Sequence, residues 1–322
     1  MAAQKGPTVR LSRRDVEAGR IPLQARLKAW WDGYDIRLPR TGKAGKTKAR
    51  HEITAPEQKL PWDDPRISLV QAVWGDGFDR PGSEEFVLEL INPVGLDPSM
   101  SVAILDAGLG GAARSICRAF DVWVTGFEGD AKLAEVGNKL SNMAGLAKKA
   151  PIHQTDPSEP DLKKRGYDCV FGHESFFLVP EKALMLETIE KGMKPGGQLL
   201  FTDYVLADSR ATSPALQEMK ENEPKPLKLW SVFDYHQAMS DLELDIRISE
   251  DITERIAAMI TRAWGEFMNK PDARKNLGAS PELLLEEAEL WTRRLRALQE
   301  GALKVYRFHA LKKSSGTLLS NW

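Results

Sequence analysis

Two carboxylates, Asp106 and Glu128, close two apolar runs on either side of a glycine-dense turn, in the stretch VAILDAGLGGAARSICRAFDVWVTGFE over residues 102–128. The runs read as strands, and Ala112–Phe120 between them reads as a helix. Glycines at 108, 110 and 111 let the backbone turn sharply and come close to a ligand without side-chain obstruction. A helix opening near Ala112 directs unpaired N–H groups and its positive dipole end at whatever lies above the sheet. An acid that closes the second strand can accept the hydroxyl hydrogens of a ribose. The chemistry written into this unit is recognition of an adenosine-type ligand, and it says nothing of a reaction.

Read as G-x-G-x-x-A, Gly108, Gly110 and Ala113 also fit a dinucleotide fingerprint, with Glu128 eighteen residues after Gly110, near the roughly 20 such a site uses. Asp106 separates the two readings. An acid just ahead of the glycines repels a pyrophosphate but suits a ligand with an ammonium group and a sulfonium centre. S-adenosylmethionine has both and carries no phosphate.

With those residues in view, the chain resembles the class I S-adenosylmethionine-dependent methyltransferases. Asp106-Ala107-Gly108-Leu109-Gly110-Gly111 is similar to that family's D-x-G-x-G-x loop, although the last family glycine often falls one position further on. Tyr167–Glu174 (YDCVFGHE) resembles the fourth-strand motif, and Lys194–Asp203 (KPGGQLLFTD) the turn and fifth strand. Leu303–Ala310 (LKVYRFHA) falls where a final antiparallel strand belongs. The resemblance implies that Asp106, Gly108, Gly110 and Gly111 hold the methionine end of the cofactor. It places Glu128, with Gly129, at the ribose, and Asp156, with Pro157, near the adenine. Trp74-Gly75-Asp76-Gly77-Phe78 and Pro81-Gly82-Ser83 resemble the segment ahead of the first strand in small-molecule N-methyltransferases of the phosphoethanolamine and sarcosine/dimethylglycine type. There it helps close the site; here Trp74 and Phe78 replace a tyrosine-centred pattern, and an aromatic plug beneath the sheet fits the same residues.

Methyl transfer from a sulfonium needs alignment and exclusion of water more than it needs acid–base groups. An acceptor that carries a proton also needs a base. His173, Glu174 and Asp203 stand at strand ends, with Tyr204 as a hydroxyl that could orient an acceptor; His173 also borders the cofactor. Each has a plain structural alternative as a cap, a core group or a loop hydrogen bond. Aromatic faces suit an amine that becomes cationic on methylation, and Trp74, Phe78, Phe177, Tyr204, Trp230 and Tyr235 are the candidates, with Asp203 as an acidic partner. The same residues also read as core.

The strand–helix alternation predicts an α/β, Rossmann-like fold: a mostly parallel seven-stranded sheet with an antiparallel last strand and helices on both faces. Expected strands are 102–105, 122–127, 151–155, 169–172, 198–204 and 244–248 before the last one. Expected helices are 83–92, 112–120, 131–146, 181–193, 252–269 and 281–299. The methyltransferase domain is expected over 61–313, with a helical lid insertion at about 205–300, a partly mobile basic extension over 1–60 and a tail over 314–322.

In 322 residues the net charge is −1, yet residues 1–60 hold 14 Lys and Arg against 6 Asp and Glu, so the extension carries +8 and the remainder −9. The basic run over 37–50 leaves open a contact with an anionic surface, as for a lipid head group or macromolecular acceptor. Adjacent Trp30 and Trp31 cannot share one helix stripe and suit docking to the main domain or to a second subunit. Two cysteines and five scattered histidines support neither a disulfide framework nor a metal site. No apolar run approaches the ~20 residues a membrane crossing needs. The expectation is a cytoplasmic protein with a small-molecule acceptor, no metal and no stable nucleic acid complex; homo-oligomerisation stays open. A non-catalytic protein that binds the same ligand is the remaining alternative.

Overall fold

The computed structural model describes residues 64–174, 176–270 and 279–314. The expectations for the basic extension, for Trp30–Trp31 and for the tail beyond Ser314 lie outside them. The sheet lies in one compact unit, which holds the described residues other than Ser280–Glu287.

Helices α1 (Asp64–Trp74) and α2 (Glu84–Ile91) lead in, and strands then alternate with helices: β1 (Ser101–Leu105), α3 (Gly111–Phe120), β2 (Trp123–Glu128), α4 (Ala131–Met143), β3 (Ile152–Gln154), β4 (Tyr167–His173), α5 (Lys182–Gly192) and β5 (Met193–Leu206). After β5 come α6 (Pro214–Asn222), β6 (Trp230–Ser231), α7 (Val232–Asp241), β7 (Leu244–Asp251), α8 (Thr253–Met268), α9 (Pro281–Gln299) and β8 (Leu303–Lys312). The sheet runs β3-β2-β1-β4-β5-β8-β7, with the two-residue β6 paired to the end of β5. Only β8 opposes its neighbours. The expected seven strands are therefore present, and β6 is an eighth that the sequence did not announce.

The central strands are buried on both faces, so they read as unbroken apolar runs rather than as alternations; Val102, Ala103, Ile104 and Leu105 are all buried. One face packs under α5 and α7, where Val170, Leu199, Phe201, Tyr235, Met239 and Phe308 share a core. Ser83 caps α2 by accepting the Phe86 N–H at 3.2 Å. Asp130 caps α4 by accepting the N–H groups of Lys132 and Leu133 at 2.9 and 3.1 Å. A capping box between Ser231 and Asp234 starts α7, as such reciprocal pairs do.

Register fixes the working edge. Leu105 pairs with Phe127 on β2 and with Gly172 on β4. One step beyond each lie Asp106, Glu128 and His173, so three polar residues far apart in sequence arrive together where parallel strands end.

Candidate active site

Asp106 leaves β1 with φ +52°, a left-handed conformation that costs an L residue about 1–2 kcal/mol. Gly108 and Gly110 follow at φ +55° and +78°. A Cβ at Gly108 would stand 2.8 Å from both carboxylate oxygens of Asp79, and one at Gly111 would stand 2.5 Å from the Gly77 carbonyl oxygen. The turn is thus glycine because another segment lies against it. That segment is the Trp74–Gly82 lead-in, whose Gly77 carbonyl accepts the Gly111 N–H at 2.8 Å and so closes the start of α3, which has no side-chain cap.

Glu128 is 2% exposed. Its two oxygens accept the N–H groups of Gly108 at 2.7 Å and Asp130 at 2.8 Å, which clamps the glycine turn to the end of β2. Burial first, and then the nearby Asp106 charge, pushes its carboxyl well above the ordinary range. Beside it a narrow pocket of about 20 Å³ is lined by Leu105, Asp106, Phe127, Gly129, Thr155, Pro157, Phe176 and Val179. Gly129 is held tight there: a Cβ would stand 2.7 Å from Pro157 Cγ. Asp156, between the wall residues Thr155 and Pro157, is exposed, and one oxygen of its carboxylate accepts the Ser158 N–H at 2.8 Å.

The second half of the site lies at the ends of β4 and β5. His173 and Glu174 are buried, with His173 Nε2 3.8 Å from Glu174 Oε1. Glu174 stands at φ +47°, pinned by its N–H, which donates to the Thr202 carbonyl at 2.8 Å and to Thr202 Oγ1 at 3.0 Å. The Tyr204 side chain is fully buried beside it. Phe177 packs on Tyr204 with ring centroids 4.9 Å apart. The Arg294 guanidinium lies 5.3 Å from the Phe177 ring, 5.9 Å from Tyr204 and 4.7 Å from Trp291. Trp291 in turn meets Trp74 at 4.5 Å, edge to face.

Beside this aromatic shell, the Glu174 carboxylate and the Tyr204 hydroxyl are buried facing each other, and His173 Nε2 and Trp74 Nε1 are buried without a hydrogen-bond partner. Leaving one buried polar atom unpaired costs about 1–3 kcal/mol, so this group of buried polar side chains is a candidate place for a polar ligand. Burial pushes the Glu174 carboxyl up to about 7, against the pull of Tyr204, Arg294 and Arg80. Burial, helped by Arg80, pulls the His173 imidazole down to about 3, so it stays neutral.

Four sequence candidates, Asp203, Tyr235, Trp230 and Phe78, lie outside the shell. Side chains alternate along a strand, so Asp203 and Tyr204 face opposite sides of the sheet. The Asp203 carboxylate accepts the N–H groups of Phe176 and Phe177 at 3.0 and 2.8 Å and the Tyr235 hydroxyl at 2.6 Å. Trp230 stacks on Tyr235 at 5.2 Å. Asp203 and Tyr235 thus tie the 176–177 loop to α7, with Trp230 packed beside them. Phe78 lies over the glycine turn, its ring carbon 2.9 Å from where a Gly111 Cβ would stand, on the cofactor side of the site.

Sequence reasoning missed two arginines. Arg80 sits at the junction of the two halves, in contact with Asp79, Asp106 and the His173 and Glu174 carbonyls. Arg294 is held by Glu223 through Nε to Oε1 at 2.7 Å and Nη2 to Oε2 at 3.0 Å. Each had a signal: a charged pair inside an aromatic, glycine-bearing stretch, and an arginine between Trp291 and Leu298 on the apolar stripe of a helix.

Strand order, the lone antiparallel strand and an acid–glycine–acid edge at the carboxyl ends define the Rossmann-like fold of class I methyltransferases. The expected resemblance is borne out by individual proteins. The chain is similar to phosphoethanolamine N-methyltransferase 1 of Arabidopsis thaliana, at 24% identity over 196 residues that make up 61% of this chain and 39% of that one. It is also similar to the glycine/sarcosine/dimethylglycine N-methyltransferase of Actinopolyspora halophila, at 27% over 205 residues, 60% of this chain and 33% of that one. The structure of Haemonchus contortus phosphoethanolamine N-methyltransferase 2 with phosphomonomethylethanolamine and S-adenosylhomocysteine matches at TM-score 0.72 and 18% identity, covering 79% of this chain and 59% of that one. The chain spans about two-fifths or less of the length of these two curated relatives. No family model matches it. Among the described residues no group of three His, Cys, Asp or Glu could hold a metal, and no helix is long and apolar enough to cross a membrane.

Proposed function

We propose that this chain is an S-adenosylmethionine-dependent methyltransferase whose acceptor is a small-molecule amine. The observation that carries the reading is the juxtaposition of an adenosyl-type glycine turn with an aromatic cluster around the buried His173, Glu174 and Tyr204 side chains, the two meeting where β1 and β4 end. The residues of the cradle fit the donor: a turn without Cβ atoms at Gly108 and Gly111, and a buried carboxylate at Glu128 beside an apolar pocket. Asp106, Gly108, Gly110, Gly111, Glu128, Gly129 and Pro157 would hold it, and when bound it supplies a methyl group already activated by the sulfonium charge.

The chain's own residues do the rest. Glu174, with a carboxyl near 7, is matched to taking a proton at neutral pH, and as a carboxylate it stabilises an amine that has become cationic. His173 remains neutral and offers a donor or acceptor at the seam. Tyr204 orients the acceptor, while Trp74, Phe177 and Trp291 exclude water, the last two also packing against the Arg294 guanidinium. The relatives' names, which specify phosphoethanolamine and glycine, sarcosine or dimethylglycine, support an amine acceptor over a hydroxyl.

Calorimetry with S-adenosylhomocysteine and with NAD, followed by turnover of S-adenosylmethionine against a panel of primary, secondary and tertiary amines and matched alcohols, tests the reading. Binding of S-adenosylhomocysteine alone and methylation of one amine class are expected. Binding of NAD overturns the cradle assignment, and cofactor binding without any methylated product returns the chain to the non-catalytic alternative.

A further inference from the structure

We propose that Lys182, the first residue of α5, is a positioning residue for the acceptor site: it fastens the 223–229 connection between α6 and β6 to the loop that carries Phe177, and so sets that ring against Tyr204. The proposal rests on the methyltransferase reading above and adds a residue from the helix layer on the other side of the sheet.

Lys182 is 2% exposed. Its place is unfavourable for a cation twice over: the ammonium is buried, and it opens a helix, where the backbone dipole repels positive charge. A methionine of similar length would fill the same space without either cost. What methionine lacks is a donor. Nζ donates to the Lys228 carbonyl and lies 5.9 Å from the centre of the Trp230 ring. Burial pulls the ammonium down to about 8, against the attraction of Asp203, so it keeps its proton at neutral pH.

The carbonyl it holds belongs to a residue outside any strand, in the irregular connection just ahead of β6. The Lys228 N–H donates to the Phe177 carbonyl at 2.7 Å, so residue 228 is gripped on both sides, by the loop through its N–H and by α5 through its carbonyl. The other end of the connection is fixed as well. Glu223 pairs with Arg294, and Arg294 lies 5.3 Å from the Phe177 ring. Phe177 is therefore reached twice by one connection, at its carbonyl from Lys228 and at its ring from Glu223 through Arg294. Asp203 holds the N–H groups of Phe176 and Phe177 independently, so the pocket wall at Phe176 does not depend on Lys182. The packing of Phe177 on Tyr204, 4.9 Å ring to ring, does.

Amide exchange and kinetics on the full chain test this. In Lys182→Met the Lys228 amide, followed by mass spectrometry on peptides covering 223–230, should exchange at least about tenfold faster than in the wild type, with β5 unchanged. KM for the amine that the wild type methylates should rise about tenfold, while KM for S-adenosylmethionine and the affinity for S-adenosylhomocysteine stay within about twofold. Phe177→Leu should raise the amine KM in its own right, and the double variant should be no worse than Phe177→Leu alone, because the lysine acts through that ring. Lys182→Arg keeps a cationic donor and should return the amine KM to within about threefold of the wild type. Lys228→Pro removes only the N–H that Phe177 receives, at an exposed residue; it should raise the amine KM in the same way, and it takes the place of the methionine variant in the kinetic comparisons if that variant does not fold. Unchanged exchange at Lys228, an unchanged amine KM, equal loss of donor and amine binding, or effects that multiply in the double variant each overturn the proposal. A wild type that binds S-adenosylhomocysteine but methylates no amine overturns the methyltransferase reading instead, and the exchange comparison still decides whether Lys182 holds the connection.

Discussion

Glu174→Gln should remove a pH dependence of stability that the wild type carries. The Glu174 carboxyl is 1% exposed, and burial moves it from an ordinary 4.5 to about 7. Because the folded value lies above the unfolded one, the folded state holds the proton more tightly. The associated stability is fully present below about pH 4.5 and is lost as pH rises to about 7. At ~1.36 kcal/mol per pH unit the loss amounts to about 3 kcal/mol. The glutamine variant exchanges no proton there, so its curve lacks this slope. An unpaired buried amide adds a constant offset of about 1–3 kcal/mol, which displaces the curve without tilting it. Urea unfolding of both proteins from about pH 4.5 to about pH 8, plotted as the difference between them, isolates the group, since the other titrations largely cancel. The gap should move by about 3 kcal/mol in the glutamine variant's favour as pH rises. A gap constant to within about 0.5 kcal/mol would show a carboxylate that water already reaches, and with it would go the idea of a dry shell awaiting a cation.

Gly108→Ala places a Cβ 2.8 Å from Asp79 at φ +55° and should cost about 1 kcal/mol or more of stability, together with at least about tenfold in S-adenosylhomocysteine affinity; an unchanged melting temperature and affinity would dissolve the Asp79–Gly108 contact. Tyr235→Phe takes one donor from Asp203, and urea unfolding should show a loss of about 1–2 kcal/mol with KM for donor and acceptor unchanged. A shifted KM at full stability would return Tyr235 to the acceptor site. Arg294→Met strands the Glu223 side chain, which is 2% exposed, and should destabilise by about 3–5 kcal/mol, whereas Arg294→Met with Glu223→Gln should recover most of that. If the double variant is no more stable than the single one, the pair is not what holds α9 in place.

The β1–α3–β2 unit was legible almost to the residue, with strand 102–105 observed as Ser101–Leu105 and helix 112–120 as Gly111–Phe120. Buried parallel strands write themselves as apolar runs, and glycines that must take positive φ punctuate them. Helix α7 was not read. Its aromatic-rich VFDYHQAMSD has no strong helical stripe; the Ser231–Asp234 capping box starts it and the burial of Tyr235 and Met239 holds it against the sheet. The faces of β5 were also illegible as written. Asp203 and Tyr204 are neighbours in sequence and both read as acceptor-site candidates, yet the pleat sends them to opposite sides of the sheet. Arg80 and Arg294 escaped because each acts through partners distant in sequence, 26 residues on at Asp106 for the first and 71 back at Glu223 for the second. Spacing along the chain does not report such pairs.

Asp106 and Glu174 share an awkward backbone posture, both left-handed without being glycine. Proteins drift toward whatever is sturdy enough, and at these two places the sturdier choice is known: glycine would relieve the twist at both corners. A sister sequence carrying glycine at both is expected to be the hardier molecule and a dead one, so survival of the two acids through mutation would itself record that this protein has work to do.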